Sequence, residues 1–278
     1  MATIGELLKW ASDALKQSQD VPQLEAQVLL AHVLDCSRSA LYAWPEKEVS
    51  NTDTETFQSL IQRRLQHEPI AYLTGHKEFW SLDFEVTKDT LIPRADTELL
   101  IKVVMQTLDD NPHTVIDLGT GCGAIACTLA HLKPKWQVVG LDISKQAIQV
   151  AQKNAQKLNI SNVEFLVSNW FESLPPKQYD AIVGNPPYIR GNDVHLIHGD
   201  LPFEPTIALT PGNTGFEAYE IILNACKPYL KDKGLVAFEH GFDQGAHLSE
   251  LLAQAGFGDI ETFQDLAGKD RVTIGHRL

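Results

Sequence analysis

Thr114-Val115-Ile116-Asp117-Leu118-Gly119-Thr120-Gly121-Cys122-Gly123-Ala124-Ile125-Ala126-Cys127-Thr128-Leu129-Ala130 is the stretch that decides the fold. Its first five residues are an apolar run of strand length, its middle alternates glycine with small residues, and its last seven have the length and composition of a helix. Glycines at 119, 121 and 123 let the backbone approach a ligand closely. A further strand, 137–141, ends in Asp142, whose carboxylate at a strand tip suits both hydroxyls of a ribose. Together these elements predict a nucleoside-cofactor half-site.

Outward from that core, strands and helices alternate to the end of the chain. Strands are expected at 114–118, 137–141, 163–167, 180–184, 235–239, 258–263 and 271–275, with helices between, which predicts a parallel sheet covered on both faces. The last two strands are joined by the turn-like Gly268-Lys269-Asp270. The strand at 180–184 ends in Asn185-Pro186-Pro187-Tyr188. Two prolines fix φ near −65° and lack N–H groups, so the turn is stiff and its carbonyls are free to accept. The Asn185 side-chain oxygen and the Pro186 carbonyl can converge on one planar NH2 group, and Tyr188 offers a flat face to stack on it. Such a turn suits an amide or an exocyclic base amine. Asn-Pro is also an ordinary turn starter, and it is the cofactor half-site upstream that gives this one a chemical reading.

The glycines alone leave the cofactor open. Gly119-x-Gly121-x-x-Ala124 also satisfies a dinucleotide fingerprint, and Asp142 stands 23 residues past Gly119, near the expected acidic position. NAD and S-adenosylmethionine are both viable on this stretch. Three features favour the methyl donor. Asp117 places a carboxylate where a pyrophosphate would want none. Ser168-Asn169-Trp170, after the strand at 163–167, can supply an amide edge and a ring to an adenine. The Asn185 turn is an acceptor for which hydride transfer has no obvious use.

Asp117 to Gly123, Asp142, Asn169-Trp170 and Asn185 to Tyr188, in this order, resemble a class I S-adenosylmethionine-dependent methyltransferase of the Asn-Pro-Pro-Tyr type. Leu91-Ile92-Pro93-Arg94-Ala95-Asp96-Thr97-Glu98, Phe203-Glu204-Pro205 and Glu239-His240-Gly241 narrow the resemblance to the protein-(glutamine-N5) methyltransferases of peptide chain release factors, the HemK/PrmC family. The similarity spans essentially the whole chain. It implies an α/β, Rossmann-like methyltransferase domain with a seven-stranded, mostly parallel sheet at 96–278, a small N-terminal helical domain at 1–75 that recognises the substrate, and a hairpin linker at 76–95. It implies transfer of a methyl group to the side-chain amide of the glutamine in a Gly-Gly-Gln motif, with S-adenosylmethionine as donor and S-adenosylhomocysteine as product. The implied cofactor residues are Asp117, Gly119, Thr120, Gly121, Cys122, Gly123, Asp142, Asn169, Trp170 and Asn185. Asn185, Pro186 and Tyr188 are the implied catalytic residues, and Asn185, Pro186, Pro187 and Tyr188 bind the substrate. The family usually has Pro at Ala95, Thr at Cys122 and Asp at Asn169. Asn169 is the departure that matters, because a neutral amide replaces a carboxylate near the adenine amine, although its oxygen can still accept that bond.

The N-terminal region supports the helical expectation on its own residues. Ile4, Leu7, Leu8, Ala11, Ala14 and Leu15 recur at helical spacing, as do Leu24, Val28, Ala31 and Leu34, and then Phe57, Leu60, Ile61, Arg64 and Leu65. Pro69 is expected to close the last helix. Residues 78–86 alternate as a hairpin that serves as a hinge between the domains, and Asp96-Thr97-Glu98 is expected to cap a helix running to about Leu108.

The 278 residues carry a formal charge of −13, with 9 basic and 14 acidic residues up to position 95 and 14 and 22 beyond it. Neither part is basic, which argues against a nucleic-acid partner, because phosphate-neutralising contacts dominate such affinity. Residues 189–210 carry Arg190 against Asp193, Asp200 and Glu204. An N6-adenine nucleic-acid methyltransferase stays as the alternative, since the Asn185 turn does not separate a carboxamide from a base amine, and an NAD-dependent oxidoreductase as a third. Glu6, Lys9 and Asp13 interrupt any leader-like segment, and no apolar run approaches 18 residues, so a cytoplasmic protein with no membrane partner is expected. The four cysteines form no Cys-x-x-Cys pair, and His195 and His198 lie in a long polar stretch, so no metal is expected. The polar stretch at 189–215 reads as a substrate-ordering segment or lid, and Arg94 as either a wall of the site or an interdomain ion-pair partner.

Overall fold

In the computed structural model, which describes residues 1–16 and 19–278, the chain divides into two units, Met1–His76 and Lys77–Leu278. Among the described residues, the first unit holds five helices: α1 (Ile4–Leu15), α2 (Pro22–Val33), α3 (Arg38–Ala43), α4 (Asn51–Leu65) and α5 (Ile70–Thr74). The start of α1 is written locally. The Glu6 N–H donates to the Thr3 hydroxyl at 3.3 Å, and the Thr3 N–H donates to the Glu6 carboxylate at 2.8 Å, a reciprocal cap.

Leu7, Ala11 and Leu15 of α1 meet Ala26, Leu29 and Leu30 of α2 and Phe57 and Ile61 of α4 in one buried cluster. The expected stripe on α2 is therefore corrected: Ala26, Gln27, Leu29, Leu30 and Ala31 are buried, whereas Leu24 is 42% exposed. Apolar residues surround most of this helix, so periodicity does not select a face and packing does. Arg64 is buried because Glu25 meets it fork to fork, with Nε to Oε2 and Nη2 to Oε1 both at 2.9 Å. Pro69 does not close α4, which ends at Leu65; it stands at the N-cap of α5, where a missing N–H costs nothing.

Strands β1 (His76–Phe79) and β2 (Leu82–Glu85) form the expected hairpin around Trp80 and Ser81, both at positive φ (51° and 59°). From Lys77 onward the hairpin belongs to the second unit. Buried Asn154 accepts from the Glu85 N–H at 2.7 Å and donates to the Glu85 carbonyl at 2.9 Å. Residues 95–97 then make a 3-10 turn leading into α6 (Glu98–Thr107). The cap expected at Asp96-Thr97-Glu98 is not made. Thr97 is already helical (φ −64°, ψ −20°) and its hydroxyl is engaged elsewhere, while the Glu98 carboxylate accepts from the Trp80 N–H at 2.9 Å.

The remaining elements are β3 (Thr114–Leu118), α7 (Ala124–Leu132), β4 (Gln137–Asp142), α8 (Lys145–Lys157), β5 (Val163–Val167), β6 (Tyr179–Gly184), α9 (Thr206–Leu209), α10 (Glu217–Ala225), β7 (Leu230–Glu239), α11 (Gly245–Gln254), β8 (Phe257–Gln264) and β9 (Asp270–Arg277). The sheet order is β5-β4-β3-β6-β7-β9-β8, with every pair parallel except the two made by β9. This is the expected Rossmann-like α/β fold with seven strands. The chain moves from β3 outward to β5 and returns to β6 on the other side of β3, so the order reverses between β3 and β6. A crevice opens at the carboxyl ends there. Ile116, Leu118, Ile182, Val236 and Phe238 from the sheet pack with Tyr219 and Ile222 of α10 and Leu248 and Leu252 of α11. Among the described residues, no helix is long and apolar enough to cross a membrane.

Candidate active site

At the reversal, a cavity of about 260 Å³ is lined by Gly119 and Gly121 after β3, Asp142 to Ser144 after β4, Ser168 to Trp170 after β5, and Asn185 and Pro187 after β6. Residues 89–91 and 205–211, with Ala218 and Ile221 of α10, complete its wall. The tips of four neighbouring parallel strands thus bring together segments separated by nearly 70 positions of chain.

Two carboxylates hold the glycine loop. Asp117 is fully buried beneath it: its Oδ2 accepts from the Thr120 hydroxyl at 2.6 Å and the Ala126 N–H at 3.2 Å. Burial pushes the Asp117 carboxyl up to about 7. Asp142 stands on the cavity side, with Oδ2 accepting from the Gly121 N–H and Oδ1 from the Ser144 N–H, both at 2.9 Å. Each oxygen keeps a further lone pair for a ligand hydroxyl. Gly119 and Gly121 take positive φ (70° and 57°), and a Cβ added to either meets nothing within 4 Å. Bare backbone therefore faces open space beside an acceptor carboxylate, which is the donor set a nucleoside needs.

The sequence-predicted cofactor residues divide by position. Gly119, Gly121, Asp142, Asn169, Trp170 and Asn185 line the cavity. Asp117, Thr120, Cys122 and Gly123 do not; they are buried behind the wall and shape the loop. The Cys122 thiol is pushed up to about 12 by burial, so it is no nucleophile at neutral pH. Asn169 donates through Nδ2 to Glu172 at 2.9 Å, which leaves its amide oxygen free to accept.

In the turn after β6, the Asn185 side chain donates through Nδ2 to the Thr97 hydroxyl at 3.2 Å. That bond leaves Oδ1 as the free end of the amide, an acceptor. Pro187 lines the cavity, while Pro186 and Tyr188 stand beside it. The Tyr188 hydroxyl faces Glu239 at 3.5 Å, and Gln244 donates to the Tyr188 carbonyl at 3.1 Å. His240 is buried, bonded to Thr273 and the Gly241 carbonyl, and burial lowers its proton affinity, so it is a neutral part of the turn.

Sequence reasoning missed Thr97 and Glu204. Glu204 is buried, accepts from the Ile92 N–H at 3.0 Å and pairs with Arg94. This pair lies within the second unit and fastens the segment whose residues 205–211 line the cavity. Arg94 and Glu204 stand in stretches already singled out, but nothing local indicates that they meet across 110 positions. His195 is exposed and bonded to Asp193, and among the described residues no three His, Cys, Asp or Glu side chains gather as metal ligands.

Two family models match the chain, one described as PrmC N-terminal domain at residues 6–75 and one as Methyltransferase small domain at 95–200. A protein of Aliivibrio fischeri named release factor glutamine methyltransferase is 45% identical over 98% of this chain and 97% of its own. A protein of the same name from Pseudomonas aeruginosa is 44% identical over 99% of each. Among solved structures, a methyltransferase from Pyrococcus furiosus superposes with a TM-score of 0.55 at 19% identity, over 78% of this chain and 96% of that one, a likeness of fold.

Proposed function

We propose that this chain, which belongs to the family of release factor glutamine methyltransferases, transfers a methyl group from S-adenosylmethionine to the side-chain amide nitrogen of a release factor glutamine, the one in a Gly-Gly-Gln motif. The observation that carries the proposal is the Asn185 amide, which lines the cavity and whose nitrogen is held by Thr97, so that its oxygen is left as an acceptor. Family membership leaves the dinucleotide alternative without support.

S-adenosylmethionine, when bound, supplies an electrophilic methyl group on a sulfonium. Gly119, Gly121, Asn169 and Trp170 would hold it, with Asp142 taking the ribose hydroxyls. The acceptor is a poor nucleophile, because its nitrogen lone pair is delocalised into the carbonyl, the resonance behind the ~18–20 kcal/mol amide rotation barrier. Asn185 Oδ1 and the Pro186 carbonyl accept from the two N–H groups of the substrate, return electron density to that nitrogen and fix its direction of approach. Orientation of this kind supplies about 7–11 kcal/mol and one pre-placed polar contact about 3–4, so positioning is the larger share. No side chain has to remove a proton first, since the methylated nitrogen becomes acidic and loses its proton to water.

The helical unit at residues 1–75 recognises the partner, and the protein works in the cytoplasm. The net charge of −13 supports a protein substrate over a nucleic acid. Asp142→Ala is expected to weaken S-adenosylmethionine binding by about 10–10²-fold, the worth of a lost charge-assisted bond. Titration calorimetry reads this directly, and unchanged affinity would remove Asp142 from the cofactor site. The function itself is tested by methyl transfer from labelled S-adenosylmethionine to a release factor, to its Gln-to-Ala variant and to duplex DNA. Label on the release factor alone, lost with that glutamine, is the expected result; label on DNA instead overturns the protein substrate.

A further inference from the structure

Gln244 stands at the N-cap of α11, 3% exposed and outside the cavity lining. Its side-chain amide nevertheless joins three segments around the acceptor turn. Oε1 accepts from the Gly241 N–H at 2.8 Å, just after β7, and Nε2 donates to the Tyr188 carbonyl at 3.1 Å and to the Gly215 carbonyl at 3.4 Å. An amide nitrogen carries two hydrogens, and here both go to backbone oxygens. The reversed amide would set Oε1 against two carbonyls and Nε2 against an N–H, so the partners fix its orientation.

Tyr188 and Gly215 stand at the two ends of the polar stretch that follows the acceptor turn, and that stretch closes on itself beside Gln244. The Ile189 N–H donates to the Leu209 carbonyl at 2.9 Å and the Gly191 N–H to the Gly212 carbonyl at 2.7 Å. The Glu217 carboxylate receives the Thr214 and Gly215 N–H groups at 2.8 and 2.9 Å. Gly215 takes a positive φ of 83°, and a Cβ built there would come within 2.5 Å of the Tyr188 carbonyl oxygen and 3.0 Å of Gln244 Nε2. The returning end of the loop, the Tyr188 carbonyl and the Gln244 amide are therefore packed against one another.

The two prolines stiffen the acceptor turn through their own φ, but they leave the peptide plane after Tyr188 to be fixed from outside. Gln244 supplies the bond that does so. We propose that Gln244 is a positioning residue for the methyl acceptor: by tying the Tyr188 carbonyl to the returning end of the 189–215 stretch, it fixes the exit of the Asn185 turn and with it the face that Tyr188 presents to the substrate amide. The inference rests on the methyl-acceptor reading of this turn. The glycine loop and Asp142 are held by their own hydrogen bonds, so the effect falls on the acceptor side of the site.

The test compares the wild type with Gln244→Met, which keeps the length and volume of the side chain but cannot donate, and with Gly215→Ala, which presses on the same carbonyl from the loop. Gln244→Met is expected to lower kcat for release factor methylation about 10–10²-fold, since displacement approaching 1 Å at a reacting group costs up to about 10²-fold, while calorimetry finds S-adenosylmethionine affinity within a few-fold. Gly215→Ala should act alike, and the double variant should lose little beyond the larger single loss, because both changes release one contact. Losses that multiply would mean that Gln244 serves only its own turn, and overturn the inference. Normal kcat in Gln244→Met overturns it too, as does a fall in cofactor affinity that parallels the fall in kcat. Two readouts need no substrate. In the wild type both side-chain NH2 protons of Gln244 should exchange slowly with solvent, and exchange at the rate of an exposed amide overturns the inference even if Gln244→Met fails to fold. The carbonyl-carbon resonance of Tyr188 should shift in Gln244→Met. Failure of the wild type to methylate any release factor would count against the function alone; the Tyr188 resonance then decides whether Gln244 holds the turn, and an unmoved resonance overturns it.

Discussion

Asn185→Ala is expected to lower turnover by about 10²–10³ while leaving S-adenosylmethionine binding within a few-fold, the loss typical of one pre-placed polar contact at a reacting group. Two separable sets of atoms justify the split. The glycine backbone at 119 and 121 and the Asp142 carboxylate stand after β3 and β4 and do not depend on the Asn185 amide for any hydrogen bond. The acceptor amide loses one of its two oxygen partners and keeps the Pro186 carbonyl, so transfer is slowed and not abolished. Single-turnover label transfer at saturating cofactor measures the first quantity and calorimetry the second. Near-normal turnover in this variant would sink the assigned role, and a parallel collapse of cofactor affinity would make Asn185 a cofactor ligand first.

Gly184→Ala should be nearly as damaging although it adds one methyl group outside the cavity lining. Gly184 lies opposite Leu118 where β6 pairs with β3, and a Cβ built there comes within 2.7 Å of the Leu118 carbonyl oxygen. That oxygen is backbone in the centre of a parallel sheet, so no rotamer relieves the clash and the two strand ends must separate. Overpacking of this kind costs about 1–3 kcal/mol of stability. The larger effect is functional. Leu118 precedes the glycine loop and Gly184 precedes Asn185, so the displacement opens the gap between donor and acceptor sites, and misplacement of about 1 Å can cost about 10²-fold in rate. Urea denaturation and kcat of the variant give the two numbers; wild-type values in both would show that the strands tolerate the methyl group.

Much of this site was legible because its chemistry is local in sequence. Strand, glycine turn and helix at 114–130 occupy consecutive positions, and so do Asn185 to Tyr188, whose proline pair stiffens the turn wherever it is placed. The mostly parallel sheet that the family resemblance implies ends in an antiparallel β9, reached through the turn at 268–270. Residues that act from a distance were misjudged. Thr97 looked like a helix cap because it precedes Glu98 and an apolar helix; its hydroxyl instead meets Asn185, 88 positions later. Asp117 borders the glycines, and its carboxylate accepts from the Thr120 hydroxyl and from the start of α7. Arg94 pairs with Glu204 inside the second unit, a partner that no local pattern specifies.

By itself the amino-acid order determined the alternation of elements, the seven strands and the two chemical turns, because backbone propensity, hydrophobic period and proline stiffness act within a few residues of chain. Only the tertiary structure decided which face of α2 is buried, that the hairpin belongs with the second unit, and that Gln244 reaches the exit of the acceptor turn. Each of these depends on contacts between segments far apart in sequence, made when strand ends converge at the reversal of the sheet or when an all-round apolar helix finds its neighbours. A local pattern specifies which groups a segment can offer; which of them meet is settled by packing.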